Sequence, residues 1–272
     1  MLFRSLLLLV VTPWLAWVLR APMELYSVVY DKTVPESSGH QHAGILWFLN
    51  HWKVPTTEGV QFENQKDYYG YFPDAAEEAR ISPLTELGPY TDLVYSADTY
   101  GVYKGSPGTE APTLGTSNLI YGGMTQQDVD ILRSYLNRDR PNTLIAEYNT
   151  FGTPTPSYVQ AQMYEMLRVR WTGWIGQYVQ DLSKGKEVPQ WAIDRYELKT
   201  GEPWPYIGPG FLLAYDREEV WVLQMGTEMG PLANQMELTE AGSKFFGLAD
   251  SRYYNHMCDI VEPLSGAQVL AT

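Results

Sequence analysis

The chain has 272 residues, and its 19 Lys and Arg against 32 Asp and Glu give a formal net charge of −13. Phosphate contacts need clustered Lys and Arg, so this balance argues against nucleic acid and other polyanions as partners. The single cysteine, Cys258, excludes a disulfide scaffold. Hydrophobic residues make up 44% and aromatic residues 14% of the sequence, which indicates a packed core and an unusual surplus of aromatic rings.

The longest apolar segment lies at the N-terminus. Residues 5–19 carry no charge and are bracketed by Arg4 and Arg20. A membrane-spanning helix needs about 20 residues, so this segment is short for one and better suits the apolar core of a secretory signal. We predict that residues 1–22 form an uncleaved signal anchor, a single transmembrane helix that holds an extracytoplasmic domain at the cell membrane. The alternatives are a cleaved signal peptide, which gives a secreted protein, and a helix buried in the folded domain.

The next part of the chain alternates short β-rich segments with helical ones. The segment Glu24–Tyr30 predicts a strand that reaches Asp31, and a helix is predicted from about Gln41 to Trp52. A second strand at Asp92–Ala97 delivers Asp98 at its end. The apolar face of the predicted helix, at helical spacing, consists of Ile45, Phe48, Leu49 and Trp52.

The strongest helix signal follows Thr125. Asp128 stands three residues after Thr125, which is the pattern of an N-terminal capping box. A buried strand is predicted at Thr143–Ala146, and a further helix is predicted to start at Thr155 and Pro156. Strands and helices that alternate at this spacing predict βαβ units and a parallel sheet.

The character of the sequence changes after this helix. Residues 171–210 are rich in Trp, Gly and Pro, and we predict an irregular insertion there with short helices at best. Phe211–Tyr215 and Glu219–Leu223 flank a short turn and predict an antiparallel hairpin. We assign residues 23–272 to one α/β domain, and we expect the natural chain to continue beyond Thr272.

One stretch of the sequence resembles a known superfamily. The segments DLVYSADTYGVY and GGMTQQDVDILRSYLNRDRPNTLIAEYNTFGTPTP are similar to class I glutamine amidotransferase-like domains, in the non-amidotransferase branch that includes trehalose-utilisation-like domains. The resemblance covers residues 90–160 well and residues 24–90 loosely. It implies a flavodoxin-like three-layer α/β sandwich with a mainly parallel central sheet.

The resemblance also implies which chemistry is lost. Active members of the superfamily place a cysteine nucleophile at a sharp turn between a strand and a helix. Here Asp98 and Glu147 stand at the ends of the two corresponding strands, and Cys258 lies far away beside Met257 and Asp259. We therefore expect that this protein is not an amidotransferase.

Three predicted strands end in a carboxylate, namely Asp31, Asp98 and Glu147. Ligands of such sheets bind outside the carboxyl ends of the strands. The carboxylates could bind a ligand without catalysis, or Asp98 and Glu147 could act as a catalytic pair in glycoside cleavage if they lie about 5–10 Å apart. The structural alternative is that they cap helices or accept hydrogen bonds from loop backbone.

Further candidates stand close to these carboxylates. Tyr100, Tyr148 and Asn149 follow the strand ends, where aromatic faces and amide groups are suited to hold a sugar ring. His42 follows the loop after the first strand, and with His40 it forms an H-x-H pair that lacks a clear third ligand, so we predict no metal site. No cofactor is predicted.

These observations predict an extracytoplasmic, membrane-anchored domain with a cleft that binds a carbohydrate or cell-envelope glycan. The predicted ligand-binding residues are Asp31, His42, Asp98, Tyr100, Glu147, Tyr148 and Asn149. Two alternatives stay open, a glycan-acting hydrolase that uses Asp98 and Glu147, and a structural partner-binding domain of an envelope complex.

Overall fold

A central sheet with helices on both faces dominates the fold. The computed structural model describes residues 2–36, 38–73, 80–104, 119–215, 219–230 and 235–272, with side chains from residue 11 onward. The elements up to residue 121 are α1 (Leu2–Leu19), β1 (Ser27–Asp31), α2 (His40–His51), β2 (Tyr69–Phe72), β3 (Arg80–Ser82), β4 (Leu93–Asp98), β5 (Val102–Tyr103) and β6 (Leu119–Tyr121). The elements that follow are α3 (Gln126–Leu136), β7 (Thr143–Ala146), α4 (Ser157–Leu167), β8 (Val169–Val179), α5 (Gln190–Thr200), β9 (Gly210–Tyr215), β10 (Glu219–Gln224), β11 (Gln235–Met236), α6 (Glu240–Phe246), β12 (Arg252–Tyr253) and β13 (Cys258–Pro263).

The central sheet, here called sheet A, has five strands in the order β3-β2-β1-β4-β7. β2, β1, β4 and β7 run parallel, and β3 pairs antiparallel with β2 at one edge. Val29 and Tyr30 of β1 are both buried and belong to hydrophobic clusters on opposite faces of the sheet. A strand buried on both faces is typical of a parallel sheet covered by helices. The predicted mixed α/β fold with a mainly parallel central sheet is therefore confirmed.

Helices cover both faces of sheet A. α2 covers one face of the sheet, and α3 and α4 cover the other. The capping box of α3 is present as predicted, because Thr125 Oγ1 accepts a hydrogen bond from Asp128 N and the Asp128 carboxylate accepts one from Thr125 N. Thr155 does not cap α4, since Pro156 takes that position and the Thr155 hydroxyl instead accepts a hydrogen bond from Met124 N.

The predicted buried face of α2 is correct except for Phe48. Leu49 is buried and Ile45 and Trp52 pack against the same core cluster, whereas Phe48 is 49% exposed and His42 and Leu46 are buried in addition. Residues 43–49 of α2 contain no polar side chain, so the spacing in this part of the helix has no polar face that marks the outside. Packing against β1 and β4, and not the spacing of apolar residues, decides which side is buried.

The prediction that residues 171–210 form an irregular insertion with short helices at best is wrong. This part of the chain contains the 11-residue strand β8 and the 11-residue helix α5. β8 forms a four-stranded antiparallel sheet in the order β10-β9-β8-β13, here called sheet C. β9 and β10 pair antiparallel, as predicted for the hairpin. The Gly and Trp content of β8 is typical of a loop. In the structure, a Cβ at Gly173 or Gly176 would meet the ring of Tyr215 or Phe211, so glycine gives these rings the space they need.

The N-terminal apolar segment forms α1, and its last residues contact the end of α2. Trp17 Nε1 donates a hydrogen bond of 2.7 Å to His51 O. Across the part of the chain that the structure describes, no helix is both long enough and apolar enough to cross a membrane.

Candidate functional site

Sheet A reverses its direction of growth between β1 and β4. The chain places β2 on one side of β1, then returns to place β4 on the other side, with β7 beyond it. In open α/β sheets, ligands bind in the crevice at such a switch point, outside the carboxyl ends of the strands. Asp31 ends β1, Asp98 ends β4, and the two are partners in the strand ladder. Two of the three predicted strand-end carboxylates therefore meet at the switch point.

Asp31 and His42 form a fully buried pair beneath this crevice. His42 Nδ1 lies 2.6 Å from Asp31 Oδ2, and His42 Nε2 lies 2.8 Å from Asn64 O. Both ring nitrogens of His42 thus have an oxygen atom as partner, which fixes the orientation of the ring. The other carboxylate oxygen of Asp31 accepts a hydrogen bond from Thr33 N. The pair supports the site from below and does not line its open surface.

Asp98 is the centre of the hydrogen-bond network. Its Oδ1 accepts hydrogen bonds from Thr33 Oγ1 and Tyr100 N, each at 2.7 Å, and its Oδ2 accepts one from Asn149 Nδ2 at 3.2 Å. The pKa of Asp98 is raised to about 7, mainly by burial and also by the charge of Asp31, while the three hydrogen bonds act in the opposite direction. Near neutral pH, this carboxyl group is therefore able to bind or release a proton.

Asn149 joins sheet A to sheet C at the rim of the site. Its backbone φ of 65° lies in the left-handed region, which Asn tolerates better than most residues. Its backbone N–H donates to Asp259 Oδ2 in β13, and its backbone oxygen accepts from Thr99 Oγ1. Burial raises the pKa of Asp259 to about 6, and the hydrogen bond from Asn149 N lowers it. Asn149 is thus held rigidly, with its side-chain amide directed to Asp98.

A small pocket opens next to this network. Its volume is about 40 Å³, which gives room for about three water molecules. Two predicted tyrosines contribute to it from the segments that follow β4 and β7, and one tryptophan contributes from β8 of sheet C. The lining residues are Tyr100, Tyr148, Asn149, Gly152, Thr153, Trp171 and Ile175. The pocket combines aromatic surface with the amide that binds Asp98, so it suits a small polar group attached to an apolar face.

Glu147 does not join the hydrogen-bond network of Asp98. Its side chain is exposed and is hydrogen-bonded to the Tyr95 side chain. The carboxylate whose charge raises the pKa of Asp98 is Asp31. The structure thus links Asp31, His42, Asp98, Tyr100 and Asn149 into one network, and it places Glu147 on the exposed end of β7.

Sequence reasoning missed several residues that build the site. Thr33 bridges the strand ends, since its hydroxyl donates to Asp98 Oδ1 and accepts from Gly101 N at 2.7 Å. Trp171 and Asp259 come from sheet C and approach the site only through the tertiary fold. Thr33 alone had a local signal, because it follows the strand-end residue Asp31 by two positions.

A second buried pair lies behind the site. Lys32 Nζ contacts Asp128 Oδ2 at 2.8 Å and donates to Gly123 O at 2.7 Å. Lys32 is 1% exposed and Asp128 is 3% exposed. Burial lowers the pKa of Lys32, while the charge of Asp128 raises it. This pair fixes the start of α3 against the end of β1.

The cysteine has no nucleophile-like environment. Cys258 lies in β13, and its Sγ is 3.5 Å from Gly176 O. Burial raises the pKa of this thiol, and the charge of Asp259 raises it further, so the reactive thiolate is disfavoured. Within the described residues, no group of three or more His, Cys, Asp or Glu is arranged to hold a metal ion.

Comparison with known proteins identifies no relative of this chain. No protein family matches the chain, and no curated protein and no solved structure is significantly similar to it. The class of site is therefore defined by its own geometry, a switch-point crevice of an α/β sheet in which an ionisable carboxyl group lies behind an aromatic rim.

Proposed function

We propose that this protein is a membrane-anchored, extracytoplasmic domain that binds a carbohydrate of the cell envelope without cleaving it. The fold proposed for it is the flavodoxin-like three-layer sandwich of the amidotransferase-like superfamily, with the nucleophile absent. The observation that carries the proposal is the pocket next to the Asp98 network, whose lining combines three aromatic rings with Asn149.

Carbohydrates suit this combination of groups. The CH groups of a sugar ring pack on aromatic faces, and its hydroxyl groups exchange hydrogen bonds with amides and carboxyl groups. The side-chain amide of Asn149 is hydrogen-bonded to Asp98, whose pKa is about 7. Near neutral pH, the pair can therefore either donate a hydrogen bond to a ligand hydroxyl or accept one from it. The pocket of about 40 Å³ is too small to enclose a ring, which favours binding of one edge of a sugar in a longer glycan.

Replacing Tyr148 with Ala is expected to weaken glycan binding by about tenfold, because one aromatic wall of the pocket is lost. The full chain is screened on a glycan array that includes soluble peptidoglycan fragments, and hits are titrated by calorimetry. Tyr158→Ala is the matched control, since Tyr158 is 60% exposed on α4 and does not line the pocket. Equal affinity of Tyr148→Ala and wild type for every hit contradicts this site, and an array without hits favours the partner-binding alternative.

A glycan-acting hydrolase is the second candidate, and the pKa of Asp98 favours it. A carboxyl group with a pKa of about 7 retains a proton near neutral pH and can serve as a general acid. The exposed Glu147 would then act as the second carboxylate. We expect no release of reducing ends from any glycan that binds. Release that is lost in both Asp98→Asn and Glu147→Gln would instead establish the hydrolase.

A further inference from the structure

The outer face of α2 is unusual for a helix that covers a sheet. Such a helix normally directs charged residues to water. α2 has no Asp, Glu, Lys or Arg, although the whole chain has a net charge of −13. Its exposed stripe contains Trp47, which is 67% exposed, and Phe48, which is 49% exposed. Two large aromatic residues thus occupy a position where a water-facing helix carries charge.

The C-terminal end of α1 is attached to the end of this helix. Lys53 Nζ donates to Val18 O and to Arg20 O, each at 2.8 Å. The guanidinium group of Arg20 lies 3.7 Å from the ring centre of Trp52. Because these contacts involve backbone oxygens and a stacked cation, they fix the direction in which α1 leaves the domain.

The described part of α1 exposes apolar side chains around most of its circumference. Water is a poor solvent for such a helix, whereas lipid acyl chains are a good one. Each of the apolar residues with a large exposed fraction is at least 39% exposed, and they are Val11, Trp14, Leu15, Val18 and Leu19. Trp14 and Trp17 lie near the C-terminal end of α1, where Arg20 follows and Lys53 is in contact. Aromatic rings next to basic side chains are typical of a membrane–water interface.

We propose that the exposed face of α2, formed by Trp47 and Phe48, rests in the headgroup region of the same lipid bilayer that receives α1. This inference depends on the membrane anchoring in the proposed function and extends it, because it assigns a bilayer-contacting surface to the folded domain. Arg20 and Lys53 lie at the junction of the two helices, where they meet the anionic lipid headgroups. The aromatic rings insert beside them.

The site and the contact with α1 lie at opposite ends of α2. His42 contacts Asp31 of the site, and His51 O accepts a hydrogen bond from Trp17 of α1. Nine residues of α-helix span about 14 Å. The junction with α1 is therefore about 14 Å along α2 from the Asp31–His42 pair, and Trp47 and Phe48 lie between the two.

The single cysteine permits a direct test. In a Cys258→Ser background, Trp47→Cys and Phe48→Cys are each labelled with the environment-sensitive dye NBD, and Leu198→Cys, at a 77% exposed position in α5, is the matched control. The full chain is mixed with vesicles of phosphatidylglycerol and phosphatidylcholine. We expect a blue shift and at least about a twofold rise in emission at positions 47 and 48, and no change at position 198.

Vesicle flotation of the same samples separates the possible failures. A chain that floats with vesicles while its probes at positions 47 and 48 remain unchanged overturns the contact surface and leaves the anchor intact. A chain that does not float overturns the anchor and this inference together, whereas the glycan titration of the soluble sample still tests the pocket. A change at position 198 equal to that at position 47 shows nonspecific adsorption and also overturns the inference.

Discussion

Replacing Asp128 with Ala is expected to lower the free energy of unfolding by about 3–5 kcal/mol, because it leaves the buried cation of Lys32 without its partner. Lys32 is 1% exposed, and its remaining polar partner would be Gly123 O. Asp128 also completes the capping box of α3 with Thr125, so the substitution removes a cap of about 1 kcal/mol within that total. The effect is large because Lys32 keeps the full desolvation penalty of a buried charge after its counter-ion is removed.

Chemical denaturation followed by circular dichroism measures this effect. Asp130→Ala is the matched control on the same helix, since the Asp130 side chain is 60% exposed and its ion pair with Arg133 lies in water. The double variant Lys32→Met with Asp128→Leu is expected to be more stable than Asp128→Ala, because no unpaired charge is left inside. An Asp128→Ala protein as stable as Asp130→Ala would show that the pair does not hold α3 in place.

The second large effect concerns pH. The pKa of Asp98 is about 7 in the folded protein against an ordinary value of 3.8, so the folded state binds more protons than the unfolded state between these two values. Stability from this group is therefore fully present below about pH 4 and is lost as the pH rises to about 7. A shift of this size corresponds to about 4 kcal/mol.

Asp98→Asn is expected to remove this dependence, because the amide cannot ionise and still accepts the hydrogen bonds from Thr33 and Tyr100. The measurement is the free energy of unfolding of wild type and variant at several pH values between 4 and 8. Wild type loses stability relative to Asp98→Asn as the pH rises to about 7, and the difference is constant above it. Both proteins retain the smaller effect of Asp259, whose pKa is about 6.

Asp194→Asn controls for the loss of any acidic residue, since Asp194 is exposed on α5. It is expected to keep the wild-type pH dependence unchanged. A wild-type protein whose stability relative to Asp98→Asn does not vary between pH 4 and pH 7 would show that Asp98 ionises normally and that the site is more hydrated than its burial indicates.

Local patterns predicted the parts of this protein that depend on neighbours in sequence. The capping box of Thr125 and Asp128 is formed by residues three apart, and the paired strands β9 and β10 are separated by three residues in the sequence. The positions of Asp31 and Asp98 at strand ends follow from the length of two apolar runs. Each of these features could be recognised because its partners are within a few residues along the chain.

Composition misled where a residue type has two structural uses. Gly and Trp in residues 171–210 resembled a loop, yet β8 uses glycine to admit aromatic rings from β9. The apolar spacing of α2 placed Phe48 inside, yet residues 43–49 of this helix contain no polar side chain to mark the outside, and packing leaves Phe48 exposed. Periodicity identifies a buried face only when another face is polar.

The sequence by itself determined the alternation of strands and helices, the acidic and aromatic character, and which strand ends carry carboxylates. Only the tertiary structure decided which of these groups meet. Thr33 bridges Asp31 to Asp98, and Asp259 reaches Asn149 from a strand 110 residues further along the chain. The physical reason is that the burial that raises the pKa of Asp98, and the hydrogen bonds that hold Asn149 beside the pocket, depend on tertiary packing that includes the contact of sheet A with sheet C. No spacing along the chain specifies that packing.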